Sequence, residues 1–424
     1  MTATASQVPV RQPLPAGLRV ALVHDWLVTL RGGERVLDAL CELFPDATVH
    51  TLVRTPGIAS PRVEAMRHVS SFADRLPLAR HRHRWLLPLY PSAIEAFDLS
   101  GYDLVVSSSH CVAKGVIAAP GAVHVCYCHT PMRYAWDRTE DYLRGTAPAL
   151  RLVQPALQRA AGWLRAWDLA TAGRVDAFVA NSANTADKIR RFYGRDAVVV
   201  PPPVECAQFS VVAEPASSEG RRYDLVLGGL VPYKRVDLAL EAFRLRPDRQ
   251  LIVVGDGPER ARLERMAPAN VRFIGRAAEA DLAGWYAGAR SLVFPGEEDF
   301  GIVPLEAQAA GVPVIAYGRG GALESVVDGR TGVFFHEATA QALAIALDFA
   351  DTLHRTAPSG AKEPAPLSPA ACRAQARRFD RAAFLDRMRG AVEDAWAATH
   401  AARKAGPGSA PARPTEAVGT RGPW

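Results

Sequence analysis

Cysteine is scarce in this chain, six in 424 residues, with no Cys-x-x-Cys pair and no regular spacing. Such usage excludes a disulfide framework and fits a reducing compartment. No stretch holds 18 clean apolar residues, and Met1–Gly17 has no apolar core behind a basic start. The expected location is therefore cytoplasmic, with neither secretion nor a membrane span. Internal repeats of 20–50 residues are also missing. So is a Gly-x-Gly-x-x-Gly fingerprint, because Gly318-x-Gly320-Gly321 is incomplete and does not close a first βαβ unit. What is present is ordinary globular composition, 49% hydrophobic and 22% charged, in a chain long enough for two domains. The net charge of +6 and a pI near 9.1 draw the chain towards polyanions, meaning nucleic acid, an anionic membrane face or phosphorylated substrates, but the excess is modest and no nucleic-acid partner is expected. Part of the excess is local: Arg80, Arg82 and Arg84 alternate with His81 and His83 before the apolar run from Trp85 to Tyr90.

Short apolar runs alternate with amphipathic stretches, the rhythm of βαβ units on parallel sheets. In the first half strands are predicted at Leu18–His24, Ala47–Leu52, Tyr102–Ser107, Val123–Cys128 and Asp176–Ala180. Helices are predicted near Gly33–Phe44, Arg82–Phe97, Leu150–Thr171 and Ala183–Phe192. The rhythm breaks at Pro201-Pro202-Pro203 and the polar stretch Glu214–Arg222, an interdomain linker. It restarts with strands at Tyr223–Leu227, Gln250–Val254, Val271–Ile274, Ser291–Phe294, Val314–Ala316 and Gly332–Phe335. The fold class is thus α/β, two Rossmann-like doubly wound domains at 17–205 and 222–370. A helical segment follows at 371–400, after a Pro-rich insertion at Arg355–Pro369, and a disordered tail at 401–424.

In open α/β sheets ligands sit beyond the carboxyl ends of the strands, so two facing sheets create one cleft. Each first strand runs into a glycine pair: Gly32-Gly33, and Gly228-Gly229. Gly32 and Gly33 precede a helix whose free N–H groups and positive dipole end suit an anion, although the same pair also makes an ordinary turn. Lys234, in Gly228-Gly229-Leu230-Val231-Pro232-Tyr233-Lys234-Arg235, stands where a cation reaches a diphosphate between the sheets. Arg235 is either a second ligand or a surface cation. From Phe294 a buried strand runs into the acidic loop Glu297-Glu298-Asp299, then into a helix with Pro304 in its first turn. Glu298 is placed in the loop and Glu306 in the helix's opening turn. Eight residues of helix separate carboxylates by ~12 Å, too far for the close dyad of a retaining glycosidase. They can instead bracket one elongated ligand, Glu298 accepting from sugar hydroxyls and Glu306 from ribose hydroxyls, with phosphate at the helix tip. The alternative is that Glu306 only caps the helix or complements its dipole. His129 ends the strand Val123–Cys128 on the cleft side, to act there or to hydrogen-bond a neighbouring loop. Cys126 and Cys128 share one strand face with no second ligand pair, so they read as core and no metal is expected. His24-Asp25-Trp26 and Gly318-Arg319-Gly320-Gly321 complete the cleft rim.

Together these residues resemble a family 4 retaining glycosyltransferase of the GT-B fold, over roughly Leu18 to Phe335. The resemblance is carried by Glu298-x7-Glu306 within Phe-Gly-Ile-Val-Pro-Leu-Glu, by Val254-Gly255-Asp256-Gly257-Pro258-Glu259, and by the Gly228–Lys234 stretch. His24-Asp25-Trp26-Leu27 with Arg31-Gly32-Gly33-Glu34-Arg35, and Tyr127-Cys128-His129-Thr130-Pro131-Met132-Arg133-Tyr134, are similar to bacterial mannosyltransferases of O-antigen and exopolysaccharide synthesis. The resemblance implies a catalytic set of His129, Lys234 and Glu298. It implies donor contacts from Gly32, Gly33, Gly229, Lys234, Arg235, Glu298, Phe300, Gly301, Ile302 and Glu306. It also implies GDP-mannose as donor, no required metal, retention of configuration, and a last helix crossing back to the first domain at about Arg378–Ala398. One departure stands out: many members carry Arg where this chain has Gly229, leaving the diphosphate to Lys234, Arg235 or Arg319, and the helix dipole.

The acceptor implied is a saccharide, polyprenyl-diphosphate-linked. The basic-apolar run Arg80–Tyr90 and the helix Leu150–Thr171, with Trp163 and Trp167, suit either peripheral contact with the inner face of the cytoplasmic membrane or ordinary packing. Three other readings remain open: a UDP-sugar donor, a non-catalytic nucleotide-sugar-binding module, and a nicotinamide-dependent oxidoreductase, the last disfavoured by the missing fingerprint.

Overall fold

The computed structural model describes residues 13–29, 32–77, 79–133, 135–136, 154–210, 222–355 and 364–405. The linker residues 214–221, residues 356–363 of the Pro-rich insertion, residues 150–153 of the predicted helix and the tail from 406 lie outside them, as do Arg31 and Tyr134.

Two all-parallel sheets organise the chain. The first has seven strands in the order β3-β2-β1-β4-β5-β6-β7. They are β1 (Val20–His24), β2 (Thr48–Thr51), β3 (Arg67–Ser70), β4 (Leu104–Ser109), β5 (Val123–Cys128), β6 (Ala177–Ala180) and β7 (Ala197–Val199). The second has six in the order β10-β9-β8-β11-β12-β13. They are β8 (Tyr223–Leu227), β9 (Leu251–Val254), β10 (Val271–Gly275), β11 (Ala289–Phe294), β12 (Val314–Tyr317) and β13 (Gly332–Phe335). Helices cover both faces of a parallel sheet, so its central strands bury every side chain and read as unbroken apolar runs. Val20-Ala-Leu-Val23, followed by the equally buried but polar His24, and Leu251-Ile-Val-Val254 show this. Strand order reverses between β1 and β4, and again between β8 and β11, which makes a crevice at each sheet's carboxyl edge.

The edge strands β3 and β7 are largely exposed; β3 carries no apolar run, whereas β7 lies in the apolar run Ala197–Val200 that the sequence reading passed over. The predicted helix Arg82–Phe97 is broken into a short turn Ala79–Arg82, a 3-10 segment His83–Leu89 containing Pro88, and a helix Tyr90–Glu95 that starts with Pro91. Each proline removes a backbone donor and clashes with the preceding turn.

The C-terminal segment also differs from the expectation. Pro369–Arg377 stays with the second domain, where Gln375 Nε2 donates to the carbonyl of Ser325 and Ala376 joins the core under β11 and β12. The return to the first domain begins with Arg381–Ala405, so the helix occupies residues 401–405 assigned to a disordered tail. Phe384, Met388 and Val392 of this helix enter the core formed by β1, β4, β5 and helix Gly32–Leu43. Arg381 is held by Asp38, Glu42 and Glu205. Both crossings between the domains run side by side, with Val204 N donating to Phe379 O and Arg381 N to Val204 O.

Candidate functional site

The crevice of the second sheet lies between the loops that follow β8 and β11. It is bordered by Gly228, Gly229, Lys234, Phe294, Gly296 and Glu298. Gly255, at φ 148°, explains the glycines after β9: a Cβ there would lie 1.8 Å from the carbonyl oxygen of Gly228. Gly296 likewise lets the loop after β11 lie against the backbone of Lys234, whose Cα a Cβ would approach to 2.6 Å. These contacts bring Lys234 and Glu298 together as an ion pair, Nζ to Oε1 2.6 Å. Burial works against the lysine's charge, but the Glu298 carboxylate outweighs it and holds the ammonium pKa above its ordinary value.

The acidic loop is fixed from several sides. Glu298 O accepts from Gly321 N, which ties the loop to the Gly318–Gly321 turn. Asp299 reaches the first domain. Its Oδ2 accepts from Arg133 Nε (2.9 Å) and Nη2 (2.5 Å), its Oδ1 from Lys188 Nζ (2.8 Å), and its carbonyl from Ser182 Oγ (2.7 Å). Burial would raise the Asp299 pKa, yet Arg133 and Lys188 override it and lower the value. Glu324 adds to the same clasp by accepting from Ala183 N and Asn184 N at the start of helix Ala183–Tyr193. Phe300 turns the other way, into a small core with Val204, Leu305 and Phe379 at the two crossings.

The helix Ile302–Ala309 begins at Gly301. Glu306 is therefore one turn inside the helix instead of in its opening turn, and it is buried. Its two oxygens have partners: Arg35 Nη1 of the first domain binds Oε1, and Tyr286 OH donates to Oε2 at 2.8 Å. Arg35 Nη2 also reaches Glu279 at 3.2 Å.

Opposite stands the crevice of the first sheet. Helix Gly32–Leu43 points its first turn at it, and a Cβ on Gly32 would lie 2.9 Å from Ile302 Cδ1, so the two loops meet. Behind Gly33 lie two imidazoles, with a Cβ position 3.6 Å from His24 Cε1 and 3.8 Å from His129 Nε2. Ser108 Oγ bridges them, 3.1 Å from His24 Nδ1 and 2.9 Å from His129 Nε2. Burial, reinforced by His110, pushes His24 down to about 4, and burial with His110 and His24 holds His129 well below the usual imidazole value. Both rings are therefore neutral at physiological pH.

The sequence reading put Asp25 on the cleft rim; the structure buries it. Its carboxylate accepts from the backbone N–H of His110, Cys111, Val112 and Ala113, between 2.7 and 2.9 Å, and pairs with His110 Nδ1 at 3.0 Å. This staples the loop after β4 to the end of β1.

Of the residues singled out from sequence, Gly229, Lys234 and Glu298 share the second crevice. Gly32, Gly33 and His129 meet at the first. The Phe300 side chain is core, and Phe300 does not line the second crevice. Arg235, with φ 49°, directs its guanidinium to Asp237, and Arg319 lies over the Tyr317 ring at 6.0 Å. Cys126 and Cys128 are buried in core packing. Among the described residues no cluster of His, Cys, Asp and Glu has the arrangement of a metal site. The sequence reading assigned no role to Arg133, Lys188 and Asp299, or to Arg35 and Tyr286 around Glu306. Arg35 and Arg133 lay within quoted motifs, and Asp299 beside Glu298, but no local period pointed to partners in the other half of the chain.

Two parallel Rossmann-like sheets, joined side by side with their switch points facing and a final helix returned to the first, define the GT-B class of fold. Within that class, residues 30–208 match the sequence model described as Glycosyltransferase Family 4, and residues 210–353 the model described as Glycosyl transferases group 1. The chain is thus a Glycosyltransferase Family 4 domain followed by a Glycosyl transferases group 1 domain. It is 33% identical over 191 residues to a D-inositol 3-phosphate glycosyltransferase of Streptomyces bingchenggensis, a match covering 38% of this chain and 42% of that protein. It is 42% identical over 118 residues to a GDP-mannose-dependent alpha-mannosyltransferase of Mycolicibacterium smegmatis, covering 28% of this chain and 31% of that one. The chain therefore spans less than half the length of these two relatives. Its fold is similar to that of Anabaena HepE in complex with UDP, with TM-score 0.64, 16% identity, and coverage of 89% of this chain and 100% of that one. The sucrose-phosphate synthase of Thermosynechococcus elongatus is comparable, at TM-score 0.65, 18% identity, and coverage of 90% and 100%.

Proposed function

We propose that this protein is a retaining glycosyltransferase that moves mannose from GDP-mannose to a saccharide acceptor carried on a polyprenyl diphosphate, in the synthesis of a bacterial surface polysaccharide. The observation that carries the reading is the Lys234–Glu298 pair at the mouth of the second crevice, with Gly32 of the first domain against Ile302 at the tip of the neighbouring helix. A diphosphate entering there displaces Glu298 from Lys234, leaving the ammonium on phosphate and the carboxylate free to accept from sugar hydroxyls. The tip of helix Ile302–Ala309 adds unpaired N–H groups. In transfer the bond from the anomeric carbon to the phosphate oxygen breaks, the acceptor oxygen bonds that carbon on the same face, and the acceptor proton passes to the departing diphosphate. Charge grows on the leaving group, so Lys234 and the helix tip contribute most in the transition state. Glu306 is assigned to the ribose hydroxyls, which requires Arg35 to withdraw from one of its oxygens.

GDP-mannose is favoured over a UDP-sugar by the identity to the mannosyltransferase described above, which is higher than that to the inositol-phosphate enzyme but over a shorter stretch. A lipid-linked acceptor is supported by the surface at residues 72–89, where Trp85 is 73% exposed, Phe72 and Leu89 are also exposed, and Arg82 stacks on Trp85 at 4.3 Å. Basic side chains beside exposed aromatic and aliphatic ones suit peripheral contact with anionic lipid. Among the described residues no helix is long and apolar enough to cross a membrane.

The deciding experiment offers a panel of nucleotide sugars with a polyprenyl-diphosphate-linked saccharide and measures release of nucleoside diphosphate. GDP-mannose should be turned over most rapidly. Preference for a UDP-sugar would replace the donor, and no release from any donor would leave a non-catalytic nucleotide-sugar-binding module.

A further inference from the structure

The first-domain crevice contains a hydrogen-bonded chain with more order in it than a neutral histidine alone would have. His24, Ser108 and His129 stand at the carboxyl ends of the neighbouring strands β1, β4 and β5, with His24 and Ser108 in register and Ser108 one place short of the Ser109–Cys128 pair. Ser108 has a single hydroxyl proton and is 0% exposed, so water does not reach it. With one proton between two neutral imidazole nitrogens, the hydroxyl donates to one ring and accepts from the other. Two arrangements keep that proton bonded; accepting from both rings would leave the buried hydroxyl proton without an acceptor among the described residues. In one, Ser108 donates to His129 Nε2 and accepts from His24 Nδ1–H, so His129 carries its proton on Nδ1 and His24 Nε2 is a bare lone pair. In the other, every proton is reversed, and His24 Nε2 becomes an N–H.

His24 decides between them. The residue is 0% exposed and its Nε2 has no hydrogen-bond partner. A buried N–H without an acceptor is rarer and costlier than an under-used lone pair. The neighbour on that side is the start of helix Gly32–Leu43, where Gly33 approaches His24 Cε1, and the positive end of a twelve-residue helix favours a lone pair over an N–H. Both arguments select the first arrangement.

We propose that Ser108 is a positioning residue, held by His24, that locks His129 in its Nδ1–H tautomer so that this ring offers the cleft a neutral hydrogen-bond donor. No hydrogen bond within the described protein engages His129 Nδ1, and the ring is only half-buried, so the donor is available to an oxygen of a bound substrate. A neutral donor suits a sugar hydroxyl or the oxygen joining sugar to phosphate, and its proton is not lost to the diphosphate. That assignment rests on the glycosyltransferase reading above; the tautomer itself does not.

The full-length protein labelled with 15N-histidine tests it, the His129 signals being identified by their disappearance in His129→Gln. The wild type is expected to show a protonated Nδ1 and a bare Nε2. Ser108→Ala is expected to mix the two tautomers and to lower kcat roughly tenfold to a hundredfold, the range seen when a side chain orienting a functional imidazole is removed. The dissociation constant for nucleoside diphosphate should be unchanged in that variant. His24→Asn, whose amide N–H occupies the place of Nδ1–H, should retain the wild-type signature, and His24→Leu should not. A wild-type His129 protonated on Nε2, or a Ser108→Ala variant with unaltered His129 signals, overturns the proposal. Failure of the wild type to release nucleoside diphosphate from any nucleotide sugar instead overturns the glycosyltransferase reading, while the spectra still judge the tautomer.

Discussion

Asp299→Asn isolates the link between the two domains from the chemistry of the cleft. Asp299 belongs to the second domain, and the partners of its carboxylate, Arg133 and Lys188, belong to the first. The substitution keeps the shape and one acceptor but removes the charge that Arg133 and Lys188 share. Removing one member of a buried, hydrogen-bonded ion pair costs 2–5 kcal/mol. The Asp299 side chain is 6% exposed, but those of Arg133 and Lys188 keep 27% and 24%, so solvent screens part of the effect and about 2–3 kcal/mol is the working figure. That shifts the closure equilibrium by about 30–150-fold. Energy transfer between dyes on the two domains should report a more open molecule, and kcat should fall with it. Each domain keeps its own core, so the thermal midpoint should hardly move. Because the folded-state pKa of Asp299 is lowered, the pair is fully present above the ordinary carboxylate pKa and is lost only as pH falls through the lower folded value. Unchanged closure and turnover in Asp299→Asn would refute the clasp.

Three further outcomes follow from contacts in the structure. Lys234→Ala and Glu298→Ala should each reduce turnover about a hundredfold or more with the fold intact, checked by nucleoside diphosphate release and circular dichroism. Lys114→Met should destabilise the first domain by about 3–5 kcal/mol in urea unfolding, because Asp168 is then a buried carboxylate without its cation, its side chain bonded among the described residues to Trp136 and Tyr193. Adding Asp168→Leu should recover most of that loss. Stability should also fall as pH drops from about 6.5 to about 4: His24 and His124 are pushed down to about 4, mainly by burial, so only the unfolded chain takes up protons in that window. The full effect is about 3 kcal/mol per histidine, and urea midpoints independent of pH over this range would contradict it.

The legible part of the molecule was the part with local periodicity or local chemistry. Central strands such as Val20–His24 and Leu251–Val254 are buried on both faces, so their residue types alone mark them. Lys234 and Glu298 were legible because each sits just beyond a strand end, and parallel topology delivers strand ends to one edge. Edge strands such as Arg67–Ser70 carry no such mark. Pairings between domains were invisible for a different reason. Arg133 and Asp299 are 166 positions apart, and nothing in either neighbourhood says which of many charged residues the other half will present. Asp25 shows a third limit: a carboxylate at a strand end reads as a cleft ligand until the backbone around it is known to need an acceptor.

The groups best suited to a ligand are paired with one another. Lys234 holds Glu298, and Arg35 holds Glu306, so neither carboxylate is an isolated charge. On the proposed reading binding is an exchange: phosphate replaces Glu298 on Lys234, and ribose hydroxyls replace Arg35 on Glu306. The second exchange has a testable sign. If Arg35 only occupies Glu306 until the nucleotide arrives, Arg35→Leu removes a competitor and raises the energy of the unliganded state, where Glu306 is left with Tyr286 alone. Nucleoside diphosphate should then bind about tenfold more tightly, ~1.4 kcal/mol, by titration calorimetry. Weaker binding would mean that Arg35 turns to the phosphates itself and supplies the positive charge that Gly229 does not.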